Sequence, residues 1–252
     1  MGKRGSCRDT LSGRGLPPGR AFGCRGAMKT GLDAVVKVGG SLSRGEALAS
    51  LCQKIGELGQ QYRLLAVPGG GDFADAVRVH YRRYRLGETT AHQMALLAMD
   101  QYGYLLSDLI PGGTPARGLM SVRQIIAVGR VPVLLPCSLL QQADPLPHSW
   151  AVTSDSIAAW VAEWVGSPML VLLKDVDGLY PADPRIPSGK DGSTLLESVT
   201  LDQLAACGGV DRHLARFLSG TSLDVWIISG ERPERLAELL STGRTRGTHL
   251  RR

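Results

Sequence analysis

Apolar and polar positions along residues 32–250 fall into blocks whose period changes from one block to the next. Residues 35–38, 64–67, 131–135, 169–173 and 224–228 form short runs rich in Val, Leu and Ile, bounded by glycine, proline or charge. Runs of that length predict buried strands rather than helices. Between them apolar residues recur at helical spacing over 44–58, 72–84, 88–107, 121–128, 153–165, 200–206, 211–219 and 233–241. In the helix predicted over 88–107, Ala91, Ala95, Leu96 and Met99 share one face. Pro111-Gly-Gly-Thr-Pro reads as a loop, 141–148 as a connection between lobes, and 174–195 as a long excursion rich in Pro, Gly and Asp.

Strands separated by helices predict an α/β fold with a mostly parallel central sheet covered on both faces. The expected division is a first lobe at 32–148 and a second at 149–252. In such sheets ligands bind outside the carboxyl ends of the strands, where this chain places its glycine-rich segments.

Charge narrows the partners. The 252-residue chain carries a net +6, and residues 1–31 alone hold seven basic residues against Asp9. The remainder balances at 22 basic and 22 acidic residues, so the folded part has no electrostatic footprint for nucleic acid. The first 31 residues, rich in Gly, Arg and Pro, are expected to be a disordered basic leader or a mis-assigned start ahead of Met28. They lack the apolar run of a secretory signal, and an Arg-rich organelle transit peptide is the alternative. Five scattered cysteines without a Cys-x-x-Cys pair suit a reducing cytoplasm and indicate neither zinc nor disulfides. No apolar stretch approaches the length of a membrane span.

Four segments carry candidate chemistry. Lys37-Val-Gly39-Gly40-Ser41 follows the first strand: a lysine at a strand end pairs with phosphate oxygens, and the glycines admit close backbone approach. The competing reading is an edge lysine that snorkels to solvent. Pro68-Gly69-Gly70-Gly71-Asp72 joins a strand to a helix and can present N–H groups to an anion. Thr153-Ser154-Asp155-Ser156 opens a helix, where an isolated aspartate is commonly a cap. Lys174-Asp175-Val176-Asp177-Gly178-Leu179-Tyr180 follows the most apolar strand and suits either a nucleotide phosphate with its magnesium or a charged surface turn. The chain has no P-loop, dinucleotide fingerprint, nucleophile elbow or metal-spaced histidines.

The order Lys-x-Gly-Gly-Ser, Gly-Gly-Gly, Thr-x-Asp, Lys-Asp-Val-Asp-Gly-Leu-Tyr and Gly247-Thr248 resembles the amino acid kinase superfamily over roughly residues 33–250. The resemblance implies an αβα sandwich with a phosphoryl acceptor in the first lobe and ATP, with Mg2+, in the second. The run 146–160, with its Trp150-Ala-Val-Thr-Ser-Asp core, and Val210-Asp211-x-x-Leu214-x-x-x-Leu218 are similar to the branch that phosphorylates an aminomethylfuran-methyl phosphate in methanofuran biosynthesis. The implied product is a diphosphate formed by in-line transfer. A uridylate kinase-like enzyme and a non-catalytic storage-type protein on the same fold are the alternatives.

By position, the resemblance implies that Lys37, Asp155 and Lys174 are catalytic, with Asp155 orienting the catalytic lysine. Gly39, Gly40, Ser41, Asp175, Asp177, Gly178 and Tyr180 join the lysines around ATP, Asp177 also being the candidate magnesium contact. Gly39, Gly40, Gly70 and Gly71 are expected to supply N–H groups, and Gly69, Gly70, Gly71, Asp72, Thr153 and Ser154 to bind the acceptor. Where several family members carry a second lysine in Gly-Gly-Met-x-x-Lys, this chain has Gly208-Gly209-Val210-Asp211-Arg212-His213. The second cation is therefore either Arg212 or Lys174. A homo-oligomer is expected, with the 88–107 helix as a candidate interface.

Overall fold

The computed structural model describes residues 31–181 and 194–251. The expected basic leader, apart from Gly31, and the middle of the 174–195 excursion lie outside the described residues.

Eight strands form one sheet in the order β3-β4-β2-β1-β5-β7-β8-β6. The five apolar runs supply its centre: β1 (Ala34–Val38), β2 (Leu64–Pro68), β4 (Val131–Leu134), β5 (Met169–Lys174) and β7 (Asp224–Ser229). All pair in parallel, and only β7 with β8 (Thr248–Leu250) is antiparallel. The loop expected at 111–115 contains a strand, β3 (Gly113–Ala116), which pairs with β4 despite Pro115 because it is an edge strand. β6 (Ser198–Val199) and β8 are too short to show a period.

The helices are α1 (Ala47–Leu58), α2 (Gly71–Tyr84), α3 (Glu88–Leu109), α4 (Leu119–Ala127), α5 (Cys137–Ala143), α6 (Ser154–Val165), α7 (Leu201–Ala206), α8 (Leu214–Leu218) and α9 (Glu234–Thr242). Two departures from expectation have local causes. The 44–58 helix is preceded by a separate 3-10 turn, Gly40–Arg44, with Gly45 extended between the two. The 211–219 helix begins only at Leu214, because Asp211 spends its carboxylate capping the N–H groups of His213 and Leu214.

Both sheet faces are covered, giving the expected three layers. Alternate residues of β1 and β5 go to opposite sides: Val35, Leu170 and Leu172 join the core beneath α6, while Val36, Val38, Val171 and Leu173 join the core beneath α1 and α9. β1 lies between β2, reached through α1, and β5, reached only after the rest of the first half. The chain direction across the sheet therefore reverses at β1, which makes the carboxyl ends of β1 and β5 the place where loops part and a ligand crevice forms.

Candidate active site

Lys37 shares the side of Val35, and Lys174 the side of Leu170 and Leu172, so strand alternation points both lysines toward the layer containing α6. Asp155, the second residue of α6, meets them there. Its Oδ1 is 2.7 Å from Lys37 Nζ, and its Oδ2 accepts a hydrogen bond from Lys174 Nζ at 2.5 Å. Lys37 and Asp155 side chains are only 4% exposed and Lys174 12%. The Lys37 contact is an ion pair rather than a well-directed hydrogen bond, since Oδ1 has no aligned donor.

Two lysines meet one carboxylate here, and the buried Asp211 carboxylate also acts on Lys37, raising its pKa. Burial alone would raise the Asp155 pKa, but Lys174 and Lys37 outweigh it and hold the carboxyl well below the usual range. Burial pushes Lys37 below the ordinary lysine value; Asp155 pulls it back up and Lys174 pushes it further down. Two lysines converging at the strand ends are chemically suited to anionic oxygen. Arg212 is exposed on the turn before α8, so the second cation at Asp155 is Lys174. The 19-residue separation of Lys174 from Asp155 concealed this pairing in the sequence.

Asp155 is held by a neighbour that the sequence marked only as part of a motif. Thr153 caps α6, and Asp211 reaches across from the turn before α8 to accept from Thr153 N, Thr153 Oγ1 and Ser156 N at 2.9–3.0 Å and from Ser156 Oγ at 2.5 Å. One buried carboxylate thus satisfies the first turn of the helix that carries another.

The glycine segments meet backbone to backbone. A Cβ on Gly40 would lie 2.5 Å from Gly71 N, one on Gly69 2.5 Å from Gly40 N, and one on Gly39 2.5 Å from Leu173 O. The expectation that Gly39 donates to a ligand is corrected: its N–H donates to Leu173 O, and that of Gly69 to Val38 O. Gly40 and Gly71 open the 3-10 turn and α2, where first-turn N–H groups lack intrahelical partners. Gly71 adopts φ +55, a backbone that favours glycine.

Asp72 is not turned into this region. It pairs with Arg44 at 2.5 Å on the surface, where Arg44 also binds Asp75. Asp177, the candidate metal contact, is committed elsewhere as well: Arg235 Nη1 lies 2.6 Å from Oδ1 and Arg246 Nε 3.3 Å from Oδ2, and Arg235 chiefly lowers its pKa. Among the described residues no cluster of three or more His, Cys, Asp or Glu could hold a metal. Gly178 packs against Thr248, whose Oγ1 accepts from Leu179 N at 2.7 Å and donates to Leu196 O at 2.6 Å. Thr248 thereby pins the loop bearing Asp175, Asp177 and Tyr180. Ser41 is exposed in the 3-10 turn.

A trough partly open to solvent runs between α2 and α3, bounded by the segment from Ser149 to Ser154 that leads into Asp155. Of the residues expected to bind the acceptor, Gly70, Thr153 and Ser154 line one end, and Gly69, Gly71 and Asp72 are not in its lining. Ala74, Ala91, Ala95, Leu96 and Met99 make its apolar floor, and Trp150 is part of its wall. Arg78, Glu88 and His92 also line it; none was singled out from sequence, although Glu88 and His92 extend the Ala91 and Ala95 stripe at helical spacing.

A doubly wound sheet with lysines converging on a buried aspartate beside a glycine cradle defines a phosphoryl-transfer enzyme that lacks a P-loop. The chain belongs to the amino acid kinase family, whose model matches residues 34–222, and is an ATP-dependent kinase. It is 27% identical over 207 residues to [5-(aminomethyl)furan-3-yl]methyl phosphate kinase of Methanocaldococcus jannaschii, covering 82% of this chain and 92% of that one. It is 25% identical over 238 residues to uridylate kinase of Haloarcula marismortui, covering 87% and 98%. The fold matches the crystal structure of uridylate kinase from Archaeoglobus fulgidus with a TM-score of 0.68 at 22% identity, over 87% of this chain and all of that one. Among the described residues no helix is long and apolar enough to cross a membrane.

Proposed function

We propose that the protein transfers the terminal phosphoryl group of ATP to the phosphate of a small phosphomonoester, giving a diphosphate and ADP. The observation that carries this is the shared carboxylate: Asp155 holds two lysines at the strand ends, one residue from Ser154, which lines an open trough. The substrate proposed is an aminomethylfuran-methyl phosphate, after the relative from M. jannaschii.

An acceptor phosphate at the Gly70 end of the trough attacks the γ-phosphorus in line, as the bond to the β,γ-bridging oxygen breaks. Lys37 and Lys174 neutralise charge on the moving group, and Asp155 keeps both ammonium groups aimed. Gly40, Gly70 and Gly71 offer backbone N–H groups to donor and acceptor oxygens. The residues suit a polyphosphate; Mg2+ would come bound to the phosphates, since the Asp177 carboxylate is taken by arginines.

The test is incubation with Mg-ATP and [5-(aminomethyl)furan-3-yl]methyl phosphate, following ADP release and diphosphate formation. Turnover of UMP with none of the furan phosphate selects the second reading, a uridylate kinase, which the alignment over 98% of the Haloarcula enzyme supports. The storage-type reading rested on a missing second lysine, and Lys174 supplies one. We further propose a cytoplasmic homo-oligomer, with the exposed Leu97, Tyr104, Leu105 and Leu109 of α3 as the self-association face.

A further inference from the structure

The trough is polarised along its length. α2 and α3 form an antiparallel pair: a Cβ on Gly71 would lie 3.6 Å from the Tyr102 ring, while Tyr81 Oη donates to Glu88 Oε1 at 3.4 Å where the chain turns back. Gly70 therefore marks the inner end, beside Thr153 and Ser154, and Glu88 the outer end. The inner end offers the first-turn N–H groups of α2, and Thr153 and Ser154 there lead directly into Asp155 and its lysines, which suits an anion. The outer end offers the reverse.

There, Glu88 and His92 stand one turn apart on the same face of α3 and both line the cavity. Arg78, the cation opposite, is already engaged: its Nη1 lies 2.5 Å from Asp75 Oδ1, and its guanidinium carbon sits 5.1 Å from the centre of the Trp150 ring. His92 stacks on His148 at 4.3 Å, and His148 is fixed by Asp144 at 2.7 Å and Thr89 at 3.2 Å. Burial first, and then His148, push the His92 pKa below its ordinary value, with Asp144 opposing. An imidazole so placed is a hydrogen-bond acceptor at neutral pH. Seven residues of helix separate Met99, at the inner end, from His92, about 10 Å at 1.5 Å per residue.

From this geometry we infer that the outer end of the trough binds an ammonium group of the acceptor, with Glu88 and His92 receiving its N–H groups. The inference rests on the acceptor lying in the trough with its phosphate inward. It defines the substrate class as a compact amino phosphomonoester, cationic at one end and anionic at the other, whose body rests on the alanine floor.

Calorimetric binding to the full chain, with [5-(aminomethyl)furan-3-yl]methyl phosphate and the analogue bearing methyl in place of aminomethyl, reads this without turnover. The wild type is expected to favour the amine about fivefold, since Glu88 is exposed and solvent screens the charge-assisted hydrogen bond. Glu88→Gln should reduce that ratio to within about threefold while leaving the methyl analogue unchanged, Glu88→Asp should restore part of it, and His92→Phe should lower it. A ratio unchanged in Glu88→Gln, equal weakening of both ligands, or failure of both to bind the wild type overturns the inference. A wild type that binds with the expected ratio yet transfers no phosphoryl group overturns the proposed reaction and leaves the ammonium site standing.

Discussion

Lys37 and Asp155 meet at 2.7 Å, and the contact joins a central strand to the first turn of the helix that covers it. A lysine that would otherwise be out of place in a sheet core is held there by the carboxylate, and the proposed function makes it a phosphate ligand. Its position is set by the helix rather than by its own flexible stem.

Lys37→Ala should lower kcat by two to three orders of magnitude, about what the loss of one transition-state charge contact costs. Lys174→Ala should act in the same direction. ADP release at saturating ATP and acceptor, with circular dichroism to establish folding, measures it. A loss below fivefold in both variants would remove these lysines from the chemistry.

Asp155 also sets a pH dependence. Its pKa is depressed on folding, so the carboxylate contributes stability fully above the unfolded value near 3.9, and that contribution disappears as pH falls through the lower folded value. Acid unfolding of the wild type should therefore steepen below about pH 4. Asp155→Asn, which leaves two buried ammonium groups unpaired, should cost about 3–5 kcal/mol at pH 7 and flatten that acid limb. Urea unfolding between pH 2.5 and 7 distinguishes the two.

Asp211→Ala should destabilise by more than about 2 kcal/mol, because it strips hydrogen bonds from the first turn of α6 and the start of α8 together. Hydrogen exchange should rise at the Ser156 and Leu214 amides before the sheet amides respond. Since Asp155 rides on that turn, kcat should fall although Asp211 touches no substrate; unchanged exchange at Ser156 would refute the clamp.

Gly40→Ala places a methyl group 2.5 Å from the Gly71 nitrogen, main chain that cannot move aside as a side chain can. A cost of at least about 1–3 kcal/mol is expected, together with loss of activity. Gly87→Ala, whose Cβ would meet nothing within 4 Å, is the control and should leave kcat unchanged.

Leu97→Lys with Tyr104→Lys should dissociate the proposed oligomer, read by sedimentation. Both side chains are about half exposed, so the monomer should keep its fold.

The strands that position the site were legible because β1, β2 and β5 are buried on both faces and so read as unbroken apolar runs. β3 was not: Gly-Thr-Pro-Ala has no apolar alternation, and it is a strand only because β4 offers it an edge. α5 was hidden within a segment read partly as a connection, its seven residues being too few to show a period. At the site, residue type marked Lys37 as a lysine at a strand end but favoured a cap for Asp155, whose pairing with lysine was implied only by the family resemblance. The partnership of Asp211 with Ser156 spans 55 residues and leaves no trace in local spacing. Asp72 and Asp177 show the opposite failure: acids in the right segments, claimed in the fold by Arg44 and by Arg235 with Arg246.

The loops after β1 and β2 touch through main-chain atoms, with no side chain between them. If the proposed reaction holds, the gap between donor and acceptor phosphates is a ruler cut from main-chain contact, set by the backbone at Gly40, Gly69 and Gly71. New acceptors can be accommodated by changing the walls of the trough at Arg78, Glu88, His92 or Trp150 while the transfer distance stays as it is. On that reading the fold separates what is recognised from how far the phosphoryl group must travel.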